Sequence, residues 1–372
     1  MKKVIFLAIA AAAALTACSK SEVVDSTVMN QVIAFDNYVG KDAQTKAAIV
    51  TGDAITSVNV NAYLHPKTTK DGAGFVSNFM ENQSVAKSGE YSPAKYWPAV
   101  DQAVDFVAWV PVADYTVSTG EGESATTETK NNIKVEDATL TFTVPADVKN
   151  QSDLLVANPV LDQNRAAENT AVNLVFKHLL SRIGFQINAT GVPGAEDNTT
   201  KVELVEVTLN GKFASEGTVD MTKTYGEGEN LTTKVVGTAS EVAYTLTGEN
   251  FGYTNNIIAQ GEKQNTADSY IMLIPEGNEP ANITVKYTVT TLNGEGTEDD
   301  VVITNNSVFS LQTEGGEPFA YEAGKAYKYI FNITMQAISF EVVETPWDDE
   351  TEVDITPVNP ATPEPEDPAQ GE

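Results

Sequence analysis

The sequence predicts an all-β chain built as tandem β-sandwiches. Apolar and polar residues alternate along run after run, the period of a strand with one buried face. Val58, Val60, Ala62 and Leu64 form one such run, Leu140, Phe142 and Val144 another, and Ile283, Val285, Tyr287 and Val289 a third. The longest is Tyr327, Tyr329, Phe331, Ile333 and Met335. Turn residues separate the runs at roughly 8–12-residue intervals, the spacing of short sandwich strands. Beyond residue 17 no stretch keeps the helical period for three turns.

The N-terminus has a different pattern. Lys2-Lys3 followed by the short, mostly alanine run Val4–Leu15 has the layout of a secretory signal peptide. The run falls short of the roughly 20 apolar residues that span a bilayer. Its end, Leu15-Thr16-Ala17-Cys18, resembles a bacterial lipobox, in which residues 1–17 are removed and the thiol of Cys18 takes a diacylglyceryl group. Cys18 is the one cysteine of the chain, so it has no disulfide partner. Removing residues 1–17 leaves 355 of 372, enough for two domains with separate cores, and takes the net charge from −29 to −31. A chain this acidic repels nucleic acid and anionic headgroups, and it has no basic stripe. With 41% hydrophobic residues it is not disordered as a whole.

In chain order, residues 19–46 read as a polar spacer, a strand over Val28–Tyr38 and a loop over Gly40–Lys46. Ile33 and Phe35 fall on one face of that strand, and Val28, Val32 and Ala34 on the other. His65–Gly89 reads as a Gly-, Asn- and Lys-rich loop. Tyr91–Pro98 mixes aromatics with prolines and reads as a rigid corner. Phe106–Val110 is a buried strand ending at Pro111, Thr116–Asn132 a polar loop, and Leu154–Ala157 a short apolar strand. Asn173–Asn188 carries both helical and strand spacing and reads as two strands meeting near His178. A domain boundary there gives domains over 47–178 and 179–347. Val205, Val207 and Leu209 lead into Asn210-Gly211, the strongest hairpin signal, with Asn293-Gly294 a second. Tyr270–Pro275 reads as fully buried, and Ile338, Phe340 and Val342 as the next strand. Residues 348–372 hold nine acids, five prolines and no lysine or arginine, a composition of disorder, with Val353 and Ile355 facing one way in its one strand-like fragment.

Catalytic and metal-binding patterns are missing. The two histidines, His65 in a polar loop and His178 after a strand, stand over a hundred residues apart, and no Cys/His cluster has ligand spacing. No phosphate loop or nucleophile elbow is present, and no Asp-x-Asp-x-Asp-Gly pattern appears, although other calcium loops stay open. Acid pairs such as Asp299-Asp300 and Asp348-Asp349 are expected by chance among 52 acids. The reading is a non-enzyme with no cofactor and no metal.

Several stretches together resemble the fimbrillin-like (Mfa-like) pilins of Bacteroidales, subunits of type V pili. They are Lys95-Tyr96-Trp97-Pro98 with Val104–Trp109, Gln151–Ala157, Phe176-Lys177-His178 with Ser181–Ile187, Ile271–Pro275, Ala323–Tyr327 and Trp347, in the family's order over about residues 30–347. The resemblance implies two tandem transthyretin-like β-sandwich domains and an outer-membrane lipoprotein precursor whose residues 18–46 are a propeptide. Cleavage would fall between Lys46 and Ala47, where the family usually has an arginine. The propeptide strand with Val32, Ile33 and Phe35 would fill a groove that a strand from the next subunit later takes, and the tail around Val353 and Ile355 is the candidate donor. The implied partners are other pilin subunits, the outer membrane through the Cys18 lipid, and a host or bacterial surface ligand. Two other readings stay open: a surface glycan-binding lipoprotein using Tyr91, Tyr96 and Trp97, and a non-polymerising pilus anchor or tip protein.

Overall fold

A computed structural model describes residues 31–39, 55–67, 79–119, 126–164, 171–189, 200–223, 233–252, 261–264, 269–291, 301–311, 317–333, 338–346 and 353–355. Among them the helical pieces are two 3-10 turns, Val148–Asn150 and Gly248–Phe251. Everything else that is regular is strand, so the all-β expectation holds.

Eleven strands precede residue 179: β1 (Phe35–Val39), β2 (Ser57–Pro66), β3 (Met80–Ala86), β4 (Gln102–Trp109), β5 (Tyr115–Thr119), β6 (Thr126–Lys130), β7 (Ile133–Glu136), β8 (Thr139–Thr143), β9 (Leu155–Ala157), β10 (Val160–Gln163) and β11 (Val172–His178). Twelve follow: β12 (Ser181–Ala189), β13 (Thr200–Phe213), β14 (Glu216–Asp220), β15 (Lys234–Val235), β16 (Ser240–Thr247), β17 (Gly261–Gln264), β18 (Ile271–Leu273), β19 (Glu279–Thr291), β20 (Val301–Ser310), β21 (Lys325–Ile333), β22 (Ile338–Pro346) and β23 (Val353–Ile355).

The first sheet runs β1-β11-β9-β4-β2-β3, with β10 added to β4. Alternation sends Val58, Val60, Val104, Phe106, Leu174 and Phe176 to one face, where they form a cluster with Ile33 and Phe35. Tyr63, Val107, Trp109 and Val156 point the other way, onto Leu140 and Phe142 of β8 and Val219 and Met221 at β14. The second sheet, β17-β12-β21-β22-β23 with β18 on β12, faces the third, β16-β13-β19-β20. Phe185, Leu204, Leu209, Tyr244, Val285, Tyr329 and Phe331 fill the space between these two. Tyr321 and Tyr329 share a 2.9 Å hydroxyl hydrogen bond inside that core, and burial holds both phenols well above their ordinary pKa.

A fourth sheet, β15-β14-β8-β7, takes two strands from each side of residue 178. Glu216–Asp220 pairs antiparallel with Thr139–Thr143, and the Phe142 ring lies so close over Gly217 that a Cβ there would meet it at 2.6 Å. The two sequence halves are therefore joined by main-chain hydrogen bonds and by a shared apolar cluster that includes Leu179, Leu180, Met272 and Ile274.

Three local expectations are corrected. Asn210-Gly211 is not a hairpin, because β13 runs straight through it, and the pairing to β19 slips one residue there and again at Val205. The slip at Val205 moves the buried set from Val202 and Leu204 to Val207 and Leu209, and at Gly211 the β19 backbone comes so near that a Cβ would lie 2.6 Å from the Glu279 carbonyl. The stretch from His65 to Gly89 is not all loop. His65 lies within β2, and β3 follows, its alternation broken at Asn82, whose φ is +46°. Thr116–Asn132 contains the ribbon β5-β6, rich in threonine but poor in apolar residues. The hairpin expected at Asn293-Gly294 falls outside the described residues, although β19 and β20 flanking it do pair antiparallel.

Candidate assembly sites

The segment 31–39 is held along both of its borders. Past Ala34 it is the edge strand of the first sheet, parallel to β11 from Phe35↔Val172 to Val39↔Phe176. Before that it lies against the aromatic corner. The Ile33 N–H donates to the Lys95 carbonyl at 2.9 Å, the Trp97 N–H donates to Gln31 at 3.0 Å, and Val32 bridges Tyr96. The Tyr91 hydroxyl donates to the Ile33 carbonyl at 2.8 Å. Ile33 is fully buried, and Phe35 meets Tyr91 and Phe106 edge to face with centroids 5.5 and 5.6 Å apart. Val32, on the opposite face, is 42% exposed. Burying the Ile33 and Phe35 side chains contributes about 1.5–3 kcal/mol each. Without this segment, β11 would have an unpaired edge.

At the other end of the chain, β23 pairs antiparallel with β22, Val342↔Ile355 and Glu344↔Val353, and closes the border of the second sheet. Val353 and Ile355 thus sit at alternate register positions on an existing edge. Cys18, Lys46 and Ala47 lie outside the described residues.

A further edge is absent from the sequence reading. β20 ends the third sheet, and Val301, Val302, Ile303 and Val308 on it are 55–60% exposed. The signal was there in the β-branched run that follows Asp299-Asp300. Apolar side chains on a ten-residue border strand are a template for pairing with another chain.

The aromatics of the glycan reading do not form a platform. The Trp97 ring packs on Phe106 at 6.1 Å, Tyr91 is bound to Ile33, and only Tyr96 of the three is substantially exposed. A groove of about 710 Å³ opens elsewhere, lined by Asn59, Asn61, Asn82, Trp109, Val135 and Asp137 among others. Both histidines are buried beside carboxylates. His178 Nδ1 is 2.9 Å from Asp153, which ties the end of β11 to the start of β9. His65 Nε2 is 3.2 Å from Asp105 and 3.6 Å from Asp162, a meeting that residues so far apart in sequence gave no reason to expect.

These features define an all-β protein whose first and last described strands both lie along sheet edges. The chain belongs to the fimbrillin-like family, whose sequence model matches residues 45–347. In solved structures it is similar to a fimbrial protein from Bacteroides vulgatus ATCC 8482, at 18% identity and a TM-score of 0.56, covering 86% of this chain and all of that one. It is also similar to a candidate cell adhesion protein from Bacteroides uniformis ATCC 8492, at 15% identity and a TM-score of 0.43, covering 85% of this chain and 98% of the other. No curated relative matches it in sequence.

Proposed function

We propose that the chain is a structural subunit of a type V surface pilus that is exported as a lipoprotein precursor, cut after Lys46 and polymerised by strand exchange in support of adhesion. The observation that carries this reading is the seating of residues 31–39. They form an edge strand whose Ile33 and Phe35 complete a core cluster, yet the proposed cut at Lys46 lies only seven residues beyond the strand's end at Val39. Cleavage there separates this strand from the rest of the chain. Its departure opens the β11 edge and an apolar seat, which a strand of another subunit can refill with main-chain hydrogen bonds and side chains.

On this reading the protein divides into sandwich domains over 47–178 and 179–347, with β14 and β15 of the second half closing the first. Its work is mechanical and not catalytic. Its partners are other subunits, the outer membrane through Cys18 before cleavage, and a surface ligand.

Protein sheared from cells is expected to begin at Ala47, as read by N-terminal sequencing. Cys18→Ser is expected to abolish fatty-acid labelling and leave uncut or mis-sorted precursor. Surface protein that still begins at Cys18 would overturn the processing step, and equal label in wild type and variant would overturn the anchor.

A further inference from the structure

We propose that His65, Asp105 and Asp162 form a binding site for a divalent first-row transition cation of the zinc or manganese class. The three come from three neighbouring strands. His65 and Asp105 lie near one another across the β2–β4 pairing, on the face of the first sheet turned away from Phe106. Asp162 reaches them because β10 bulges against β4: Val160 is opposite Phe106 and Gln163 opposite Val104, so Leu161 and Asp162 together face Asp105. The Asp162 N–H donates to Asp105 Oδ1 at 2.6 Å, which fixes that carboxylate.

The tautomer of His65 follows from its neighbour. Nδ1 is 3.1 Å from the Pro66 carbonyl, which can only accept, so Nδ1 carries a proton and donates. A metal-bound histidine commonly donates its other ring N–H to a backbone carbonyl in this way. Nε2 is then the ligating nitrogen of the neutral ring. It is buried and makes no hydrogen bond, and Asp105 Oδ2, in a residue 1% exposed, makes none either. Two buried polar atoms without partners, in adjacent side chains, are costly unless something pairs with both.

The spacing suits a cation. Ligand atoms held about 2.0–2.2 Å from a tetrahedral zinc are separated from one another by about 3.3–3.6 Å. The Nε2–Asp105 and Nε2–Asp162 distances of 3.2 and 3.6 Å match this, and one donor atom from each residue lies within 4.8 Å of the others. One imidazole and two carboxylates suit zinc or manganese better than calcium, which takes six to eight oxygens. Asp162 is 43% exposed, so the site opens to solvent on that side and leaves room for water as a further ligand. Bound there, the ion would fasten β10 to β2 and β4.

The alternative is a protonated His65 paired with the two carboxylates and no ion. Titration calorimetry of the untagged full chain with zinc chloride, in about 150 mM salt with excess magnesium to occupy diffuse acidic sites, separates the two. The expected result is one saturable site per chain and a melting temperature that rises with zinc. Asp162→Asn, at an exposed position, is expected to weaken binding by about tenfold or more. Its zinc-free melting temperature should match that of the wild type. Absence of saturable zinc binding, or equal affinity in wild type and Asp162→Asn, would overturn the site in favour of the ion pair.

Discussion

Ile33→Ala is expected to destabilise the uncut chain by about 2–5 kcal/mol, the range for deleting a fully buried branched aliphatic side chain. Ile33 is fully buried among the aromatics and aliphatics of the first core cluster, so alanine leaves a void that the surrounding strands cannot close. The same change loosens the 31–39 segment from its seat. Sodium dodecyl sulfate-resistant oligomers should therefore form from precursor that has not been cut. Val32→Ala, one residue earlier on the exposed face, is the control and should stay within about 0.5 kcal/mol of wild type. Urea denaturation of the two variants gives the comparison. Equal midpoints would mean that the segment is not held by its buried face, and the groove-filling role would be lost with it.

Removal of residues 348–372 is expected to abolish polymerisation after cleavage at Lys46. The full chain should give a ladder of resistant oligomers after limited trypsin treatment, and the truncated chain should give monomer. This rests on the donor-strand proposal for Val353 and Ile355. In the single chain those residues lie on β22, so donation requires them to leave one edge and take another. Truncation also uncovers β22, and loose, detergent-sensitive association through that border is a separate effect, which is why resistance to detergent is the measurement. A truncated chain that builds the same ladder after cutting would show that the tail is only a solubilising acidic extension.

Much of the strand inventory is legible in the residues, because a half-buried strand enforces a period of two. Val58 to Leu64 and Tyr327 to Ile333 read directly as β2 and β21. The same rule fails where a bulge changes phase. β13 changes its buried set at Val205, and Asn210-Gly211 then copies a hairpin signal inside a continuous strand, since a bulge asks for the same small, turn-tolerant residues as a turn. β3 was hidden for a related reason: Met80 and Val85 are both buried but five positions apart, with Asn82 in the left-handed region between them. The seat of Ile33 and Phe35 could be expected only as a face, because its other wall comes from β11 and from Tyr91, distant in sequence. The His65, Asp105 and Asp162 cluster was unreadable. An isolated histidine among 52 acids has no spacing to mark its partners, which only the register of β2, β4 and β10 brings together.

The parallel pairing of β12 with β21 has a mechanical consequence. The two strands run in the same direction over eight matched positions, from Arg182↔Ala326 to Ala189↔Ile333. The first half of the chain enters β12 at its start, and the chain leaves β21 at Ile333, the opposite end of the pair, before β22 runs back antiparallel along it. Tension applied between the first half and the end of β21 at Ile333 thus pulls the strands past each other lengthwise. All the cross-strand hydrogen bonds then carry the load together, whereas an antiparallel hairpin pulled by its open end gives way one bond at a time. Stretching single molecules from these two attachment points should show this clamp yielding at higher force than the antiparallel β19–β20 pair does when pulled apart from its Asn282↔Ser310 end.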